Sequence, residues 1–125
     1  EAMARDELRW EVYPEEGAYE VLVVAFGTVA RIAKTAVDEL RKEGVNVGLF
    51  RPVTLYPFPM RELYRTAEQA SRLLVVEMNM GQVMAQVKAV VKKPNRVFLA
   101  NRFDGHLITP SDIKKLLRVI QGRGV

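Results

Sequence analysis

Residues 21–26 read VLVVAF, an unbroken apolar run that stops at Gly27-Thr28. Six residues is a strand length, and a strand without polar alternation has no face to offer to water. It has to be covered on both sides, which is the position of an inner strand in a parallel sheet. Directly after it, Val29, Ile32, Ala33, Ala36, Val37 and Leu40 recur at helical spacing. Thr28 is the expected N-cap of that helix and Gly44 its C′ residue. One buried strand followed by one amphipathic helix already sets the class of fold.

The unit repeats. VNVGLF (45–50) predicts a second strand, and RPVTLYPFP (51–59) a loop stiffened by Pro52, Pro57 and Pro59. Pro59 suits the first position of a helix carrying Leu63, Ala67 and Ala70. RLLVV (72–76) predicts a third buried strand, followed by a helix over 82–93 with Val83, Val87, Val90 and Val91 inward. RVFLA (96–100) is a fourth strand. Thr109 then caps a helix with Pro110 first, Asp112 in its first turn, and Ile113, Leu116, Leu117 and Ile120 inward. LRWEVY (8–13) alternates instead, as expected of a half-exposed edge strand running antiparallel. Four β-then-α units with right-handed crossovers give a three-layer α/β/α architecture. The 125 residues suffice for one domain, structured over about 8–121, and not for two.

Composition removes several kinds of chemistry. The chain has no cysteine, so it offers neither thiolate nucleophile, nor disulfide, nor ligands for an iron–sulfur cluster. Its single histidine, His106, cannot build a His-rich metal site. The net charge of +4 is spread along the chain. Its densest patch, Lys88, Lys92, Lys93 and Arg96, lies where a helix dipole favours cations and has no interleaved aromatics, so nucleic acid is not an expected partner. The longest apolar run is far short of the ~20 residues of a membrane span. A soluble, cytoplasmic protein is the expectation.

In open sheets of this kind, ligands sit beyond the carboxyl ends of the strands. The residues expected there are Gly27, Thr28, Arg51, Pro57, Pro59, Glu77, Asn79, Gly81 and Gln82. Gly27-Thr28 has the outline of a phosphate loop, but a single glycine satisfies neither phosphate-loop spacing. Glu77 is either a general base or an acceptor of backbone N–H groups from nearby loops, and no nucleophile stands beside it in sequence. Asn79 and Gly81 suit a tight turn, and Gln82 a contact to a loop or a neighbouring domain. Asp104-Gly105-His106 reads as a turn.

Three stretches, VVAFGTVARIAKTAVDELRKEGVNVGLFRPVTLYPFP (23–59), LLVVEMNMGQ (73–82) and DGHLITPSDI (104–113), together resemble one family. It is the 2-oxoacid:ferredoxin oxidoreductases of the 2-oxoglutarate or 2-ketoisovalerate type, in the C-terminal domain of the α subunit. The resemblance spans about residues 8–121. It implies a transketolase C-terminal-like fold: a five-stranded mixed sheet of order 1-3-2-4-5 with strand 1 antiparallel. It also implies an enzyme complex that decarboxylates a 2-oxoacid to an acyl-CoA, with ferredoxin as electron acceptor. Thiamine diphosphate, magnesium, iron–sulfur clusters and CoA are expected in that complex. They would be held by an upstream thiamine-binding domain, a β subunit and an iron–sulfur subunit, and not by this chain. Phe103-Asp104-Gly105 lacks the first glycine of the family's diphosphate–metal motif, and its downstream Asn is missing.

The resemblance therefore implies an assembly domain with no catalytic residue of its own, and a chain that is either a piece of a longer α subunit, the favoured reading, or a small independent subunit starting at Met3. Its candidate edge residues would dock other domains, and Tyr56, Phe58 and Met60 are expected to form an apolar contact surface. The alternative is a stand-alone α/β module that binds an anion, such as a CoA or nucleotide phosphate, at the Thr28 helix terminus near Arg51.

Overall fold

The computed structural model describes residues 8–15, 17–54, 58–77, 82–91, 96–100 and 108–121. Five strands, β1 (Trp10–Tyr13), β2 (Tyr19–Ala25), β3 (Val47–Pro52), β4 (Ala70–Val76) and β5 (Val97–Ala100), form one sheet of order β1-β3-β2-β4-β5. Strands β2 to β5 are mutually parallel, and β1 alone runs antiparallel, with Trp10 opposite Pro52 and Tyr13 opposite Leu49. This is the mixed sheet expected from the sequence.

Among the described residues, four helices cover it: α1 (Thr28–Lys42), α2 (Met60–Ala67), α3 (Gln82–Val90) and α4 (Pro110–Gln121). Because successive strand residues point to opposite faces, β2 divides its apolar run between two cores. Val21, Val23 and Ala25 pack with Leu49, Leu74 and the inner faces of α1 and α4. Leu22 and Val24 pack with Phe50, Leu73, Val75 and the inner faces of α2 and α3. Val21 to Ala25 are wholly buried, which is why the run needs no polar alternation. On the α1 face, Lys114 lies 3.2 Å from both Glu39 and Glu43, and Arg118 lies 2.7 Å from Glu43, joining α4 to α1.

Several boundaries depart from expectation for local reasons. Thr28 does not cap α1; it is the first helical residue. Gly27 holds the cap position at φ 68° and ψ −142°, with no side-chain cap bond, and the Ala30 N–H donates to the Gly27 carbonyl at 3.0 Å. Strand β3 starts at Val47, because the Val45 N–H still bonds the Leu40 carbonyl at the end of α1. Pro59 caps α2 from the position before its first residue. Ala70, expected on that helix, opens β4 opposite Tyr19. Thr109 and Asp112 form the expected reciprocal cap of α4: the Asp112 N–H donates to Thr109 Oγ1 at 3.2 Å, and the Thr109 N–H to Asp112 Oδ2 at 2.9 Å. Gly44 takes a positive φ of 89° after α1, as expected. Among the described residues, no helix is long and apolar enough to cross a membrane.

Candidate functional site

All parallel strands deliver their carboxyl ends to one edge, so that edge also collects the N-termini of the helices. There α1 leaves β2 toward one face, while α3 leaves the neighbouring β4 toward the other. The β2/β4 border is therefore a switch point, the place where ligands bind in open α/β sheets. Gly27 and Glu77 follow it, just past the paired residues Ala25 and Val76.

Glu77 is 3% exposed. Its Oε1 accepts the Val83 N–H and its Oε2 the Met84 N–H, each at 3.1 Å. Its own N–H continues the sheet by donating to the Ala100 carbonyl at 3.1 Å. Val83 and Met84 are the second and third residues of α3, whose N–H groups have no intrahelical acceptor. The carboxylate thus caps α3 from the end of the preceding strand, where the helix dipole also favours negative charge. Both of its oxygens are occupied by backbone donors. Of the two readings of Glu77, the geometry supports the acceptor of backbone N–H groups. Gln82 opens α3. Pro57, Asn79, Gly81, the Gln82 side chain, Tyr56 and Asp104-Gly105-His106 lie outside the described residues.

Arg51 stands apart from this border. It shares the α1 face of β3 with Val47 and Leu49, and pairs directly across the sheet with Glu11, its Nη1 3.0 Å from Glu11 Oε1. Its Nε–H is enclosed and has no acceptor. An enclosed donor without a partner costs ~1–3 kcal/mol.

Strand β1 extends the sheet beyond the reach of α1, and a groove of about 840 Å³ remains between them. Residues 10–13 and Arg51 line its sheet side; Ala30, Arg31 and Lys34 line its helix side; and Glu15 also borders it. Lys34 Nζ lies 4.9 Å from the centre of the Tyr13 ring, a cation–π contact. The hydrogen bond to Asp38, aided by burial and the Asp38 charge, holds the Tyr13 phenol above its ordinary value of 10.0. Ala30 and Arg31 line this groove, and Thr28 does not, so the anticipated anion position at the helix terminus is not the one the groove provides.

Arg31, Lys34 and Tyr13 were not picked out from sequence. The signal was present in two halves. Arg31, Lys34 and Asp38 flank the buried stripe of α1, and Glu11 and Tyr13 share one face of β1. Only the β1–β3 pairing brings the halves together. Of the expected apolar surface, Met60 is 43% exposed, while Phe58 is half-buried against the α2/α3 core. Trp10 and Val53, at the same end of β1 and β3, are exposed as well. Among the described residues, no group of three or more His, Cys, Asp or Glu could hold a metal ion.

The chain is 40% identical over 121 residues to the ketoisovalerate oxidoreductase subunit VorB of Methanothermobacter marburgensis, covering 97% of this chain and 34% of that protein. It is 36% identical over 112 residues to the 2-oxoglutarate synthase subunit KorA of Methanocaldococcus jannaschii, covering 89% of this chain and 30% of that protein. The chain thus spans about a third of the length of the curated relatives it matches. In fold it resembles the 2-oxoglutarate:ferredoxin oxidoreductase from Magnetococcus marinus, with a TM-score of 0.81 at 22% identity over 90% of this chain and 20% of that one. It also resembles a split-gene transketolase, with a TM-score of 0.71 at 21% identity over 90% of this chain and 41% of that one. The profile of the pyruvate:ferredoxin oxidoreductase core domain II family matches residues 19–113, from the start of β2 into α4, and the chain belongs to that family.

Proposed function

We propose that this chain is a structural and assembly domain of a thiamine-diphosphate-dependent 2-oxoacid:ferredoxin oxidoreductase. The complete complex would convert a 2-oxoacid and CoA to an acyl-CoA and pass the electrons to ferredoxin. Thiamine diphosphate, magnesium and the iron–sulfur clusters would be held by an upstream thiamine-binding domain and by β and iron–sulfur subunits. The observation that carries this reading is the state of Glu77. Among the described residues it is the acid at the switch point, and both its oxygens are engaged by the N-terminus of α3. A carboxylate so occupied organises the edge of the sheet. The relatives support the same assignment, since this domain makes up about a third of proteins named as oxidoreductase subunits.

Trp10, Val53 and Met60 expose apolar surface near the end of the sheet where β3 finishes, and this end is proposed as the contact to the neighbouring domain. Co-expression with thiamine-binding and iron–sulfur subunits of the 2-ketoisovalerate type tests the proposal. The chain should co-elute with them, joined to the α-subunit remainder, and the assembly should reduce a viologen dye with a 2-oxoacid and CoA. The chain alone should not. Dye reduction by the isolated chain, or failure to co-elute with any partner subunit, would reject it.

A further inference from the structure

The groove between β1 and α1 has no role in the assembly reading, and its composition is distinctive. Three cations reach it from two elements: Arg31 and Lys34 from successive turns of α1, and Arg51 from β3. Against them stand Glu11, itself paired with Arg51, and Glu15. Helix α1 has no acid in its first turn; the acid it brings near the groove is Asp38, which is engaged by the Tyr13 hydroxyl. The volume of about 840 Å³ falls within the range of small-ligand sites. Arg51 has donors in reserve, because a guanidinium carries five N–H groups and its Nη1 serves Glu11.

We propose that this groove binds a phosphate-bearing small molecule. Cations on both walls suit a group with several charged oxygens better than a single carboxylate, which one guanidinium would satisfy. Glu11 is the built-in competitor. It lies on the exposed edge strand with its side chain 64% exposed, so it is free to turn toward water when an anion takes its place on Arg51. Leu49 and Ala30 give the groove an apolar floor on which the body of the ligand can rest.

Isothermal titration of the chain with inorganic phosphate, pyrophosphate and AMP tests this at low ionic strength. At least one should bind with a Kd below about 1 mM. Equal affinity for phosphate and AMP would mean that the phosphate alone is read, and tighter AMP that a nucleoside body is read too; both support the proposal. Lys34→Gln and Arg51→Gln should each weaken binding about tenfold or more. Glu11→Gln should tighten it severalfold by releasing Arg51, a gain that a purely structural ion pair would not produce. Lys115→Gln, on the exposed face of α4, should leave it unchanged. Should Arg51→Gln disturb the β1 edge, Lys34→Gln and Glu11→Gln decide the matter. No heat with any of the three probes, or equal weakening by Lys115→Gln, would overturn the proposal. So would a glutamate-rich peptide that binds where none of the phosphates does, which would assign the groove to a protein partner.

Discussion

Glu77→Ala removes the acceptor of two backbone N–H groups inside a site that water does not reach. Hydrogen bonds to a charged group contribute ~1.5–3 kcal/mol each, and the loss leaves the donors unsatisfied. Against this, the wild-type carboxylate already bears a desolvation cost that the variant escapes. Taking the low end for both bonds gives a destabilisation of about 3 kcal/mol. With a urea dependence of about 2 kcal/mol/M for a domain of this size, the unfolding midpoint should fall by about 1.5 M. Glu77→Gln keeps one acceptor oxygen and loses the charge at the helix terminus, so its cost should be smaller, about 2 kcal/mol. Equilibrium urea unfolding followed by circular dichroism measures both. Amide exchange at Val83 and Met84 localises the effect, because these N–H groups are the ones released. If Glu77→Ala moves the midpoint by less than about 0.3 M and leaves those two amides protected, the capping account of Glu77 is wrong.

Three further outcomes follow from the fold. Gly27→Ala should cost ~1–3 kcal/mol through the backbone alone, because nothing lies within 4 Å of an added Cβ while φ is 68°; thermal melting reads this. At Gly48 the cause is instead steric. An added Cβ would sit 2.5 Å from the Tyr19 ring, which is held by its hydroxyl donating to the Pro14 carbonyl at 2.6 Å. Gly48→Ala should cost ~1–3 kcal/mol, and a double-mutant cycle should show most of that disappearing in a Tyr19→Ala background. The third concerns pH. Hydrogen bonds from Arg118 and then Lys114 hold Glu43 below its ordinary value of 4.5. A depressed carboxyl contributes stability above the unfolded value, and that stability is lost as pH falls through the folded one. Replacing Lys114 and Arg118 with Gln should therefore flatten the loss of stability below about pH 4.5 in acid titrations of urea midpoints. An unchanged acid limb would remove Glu43 from the explanation.

The sequence disclosed the layers of this fold more readily than its joints. VLVVAF reads as a doubly buried strand because burial on both faces leaves a one-dimensional trace. The alternation in LRWEVY marks β1 as the odd strand for the opposite reason. The reciprocal cap of α4 is legible because Thr109 and Asp112 stand three residues apart. Glu77 caps α3 from six and seven residues away, across the strand-to-helix connection, and no local spacing rule captures that. Thr28 resembles an N-cap by residue type, but the preceding Gly27 adopts a backbone angle that moves the cap back by one position. The groove was hidden further still. Its two walls are β1 and α1, and they face each other only after β1 pairs with β3, about forty residues downstream in the register of Glu11 with Arg51.

The Glu77 carboxylate is engaged in holding α3, and the role proposed for this domain is assembly and not chemistry. Measuring kcat per assembled complex for Glu77→Gln, with the domain in place in a complete 2-oxoacid:ferredoxin oxidoreductase, tests that most directly. A purely structural Glu77 should give a lower yield of complex and a kcat within about twofold of wild type for the complex that forms. General acid–base catalysis contributes ~10²–10⁴-fold; a loss of that size in fully assembled complex would make Glu77 a catalytic residue and refute the assembly role.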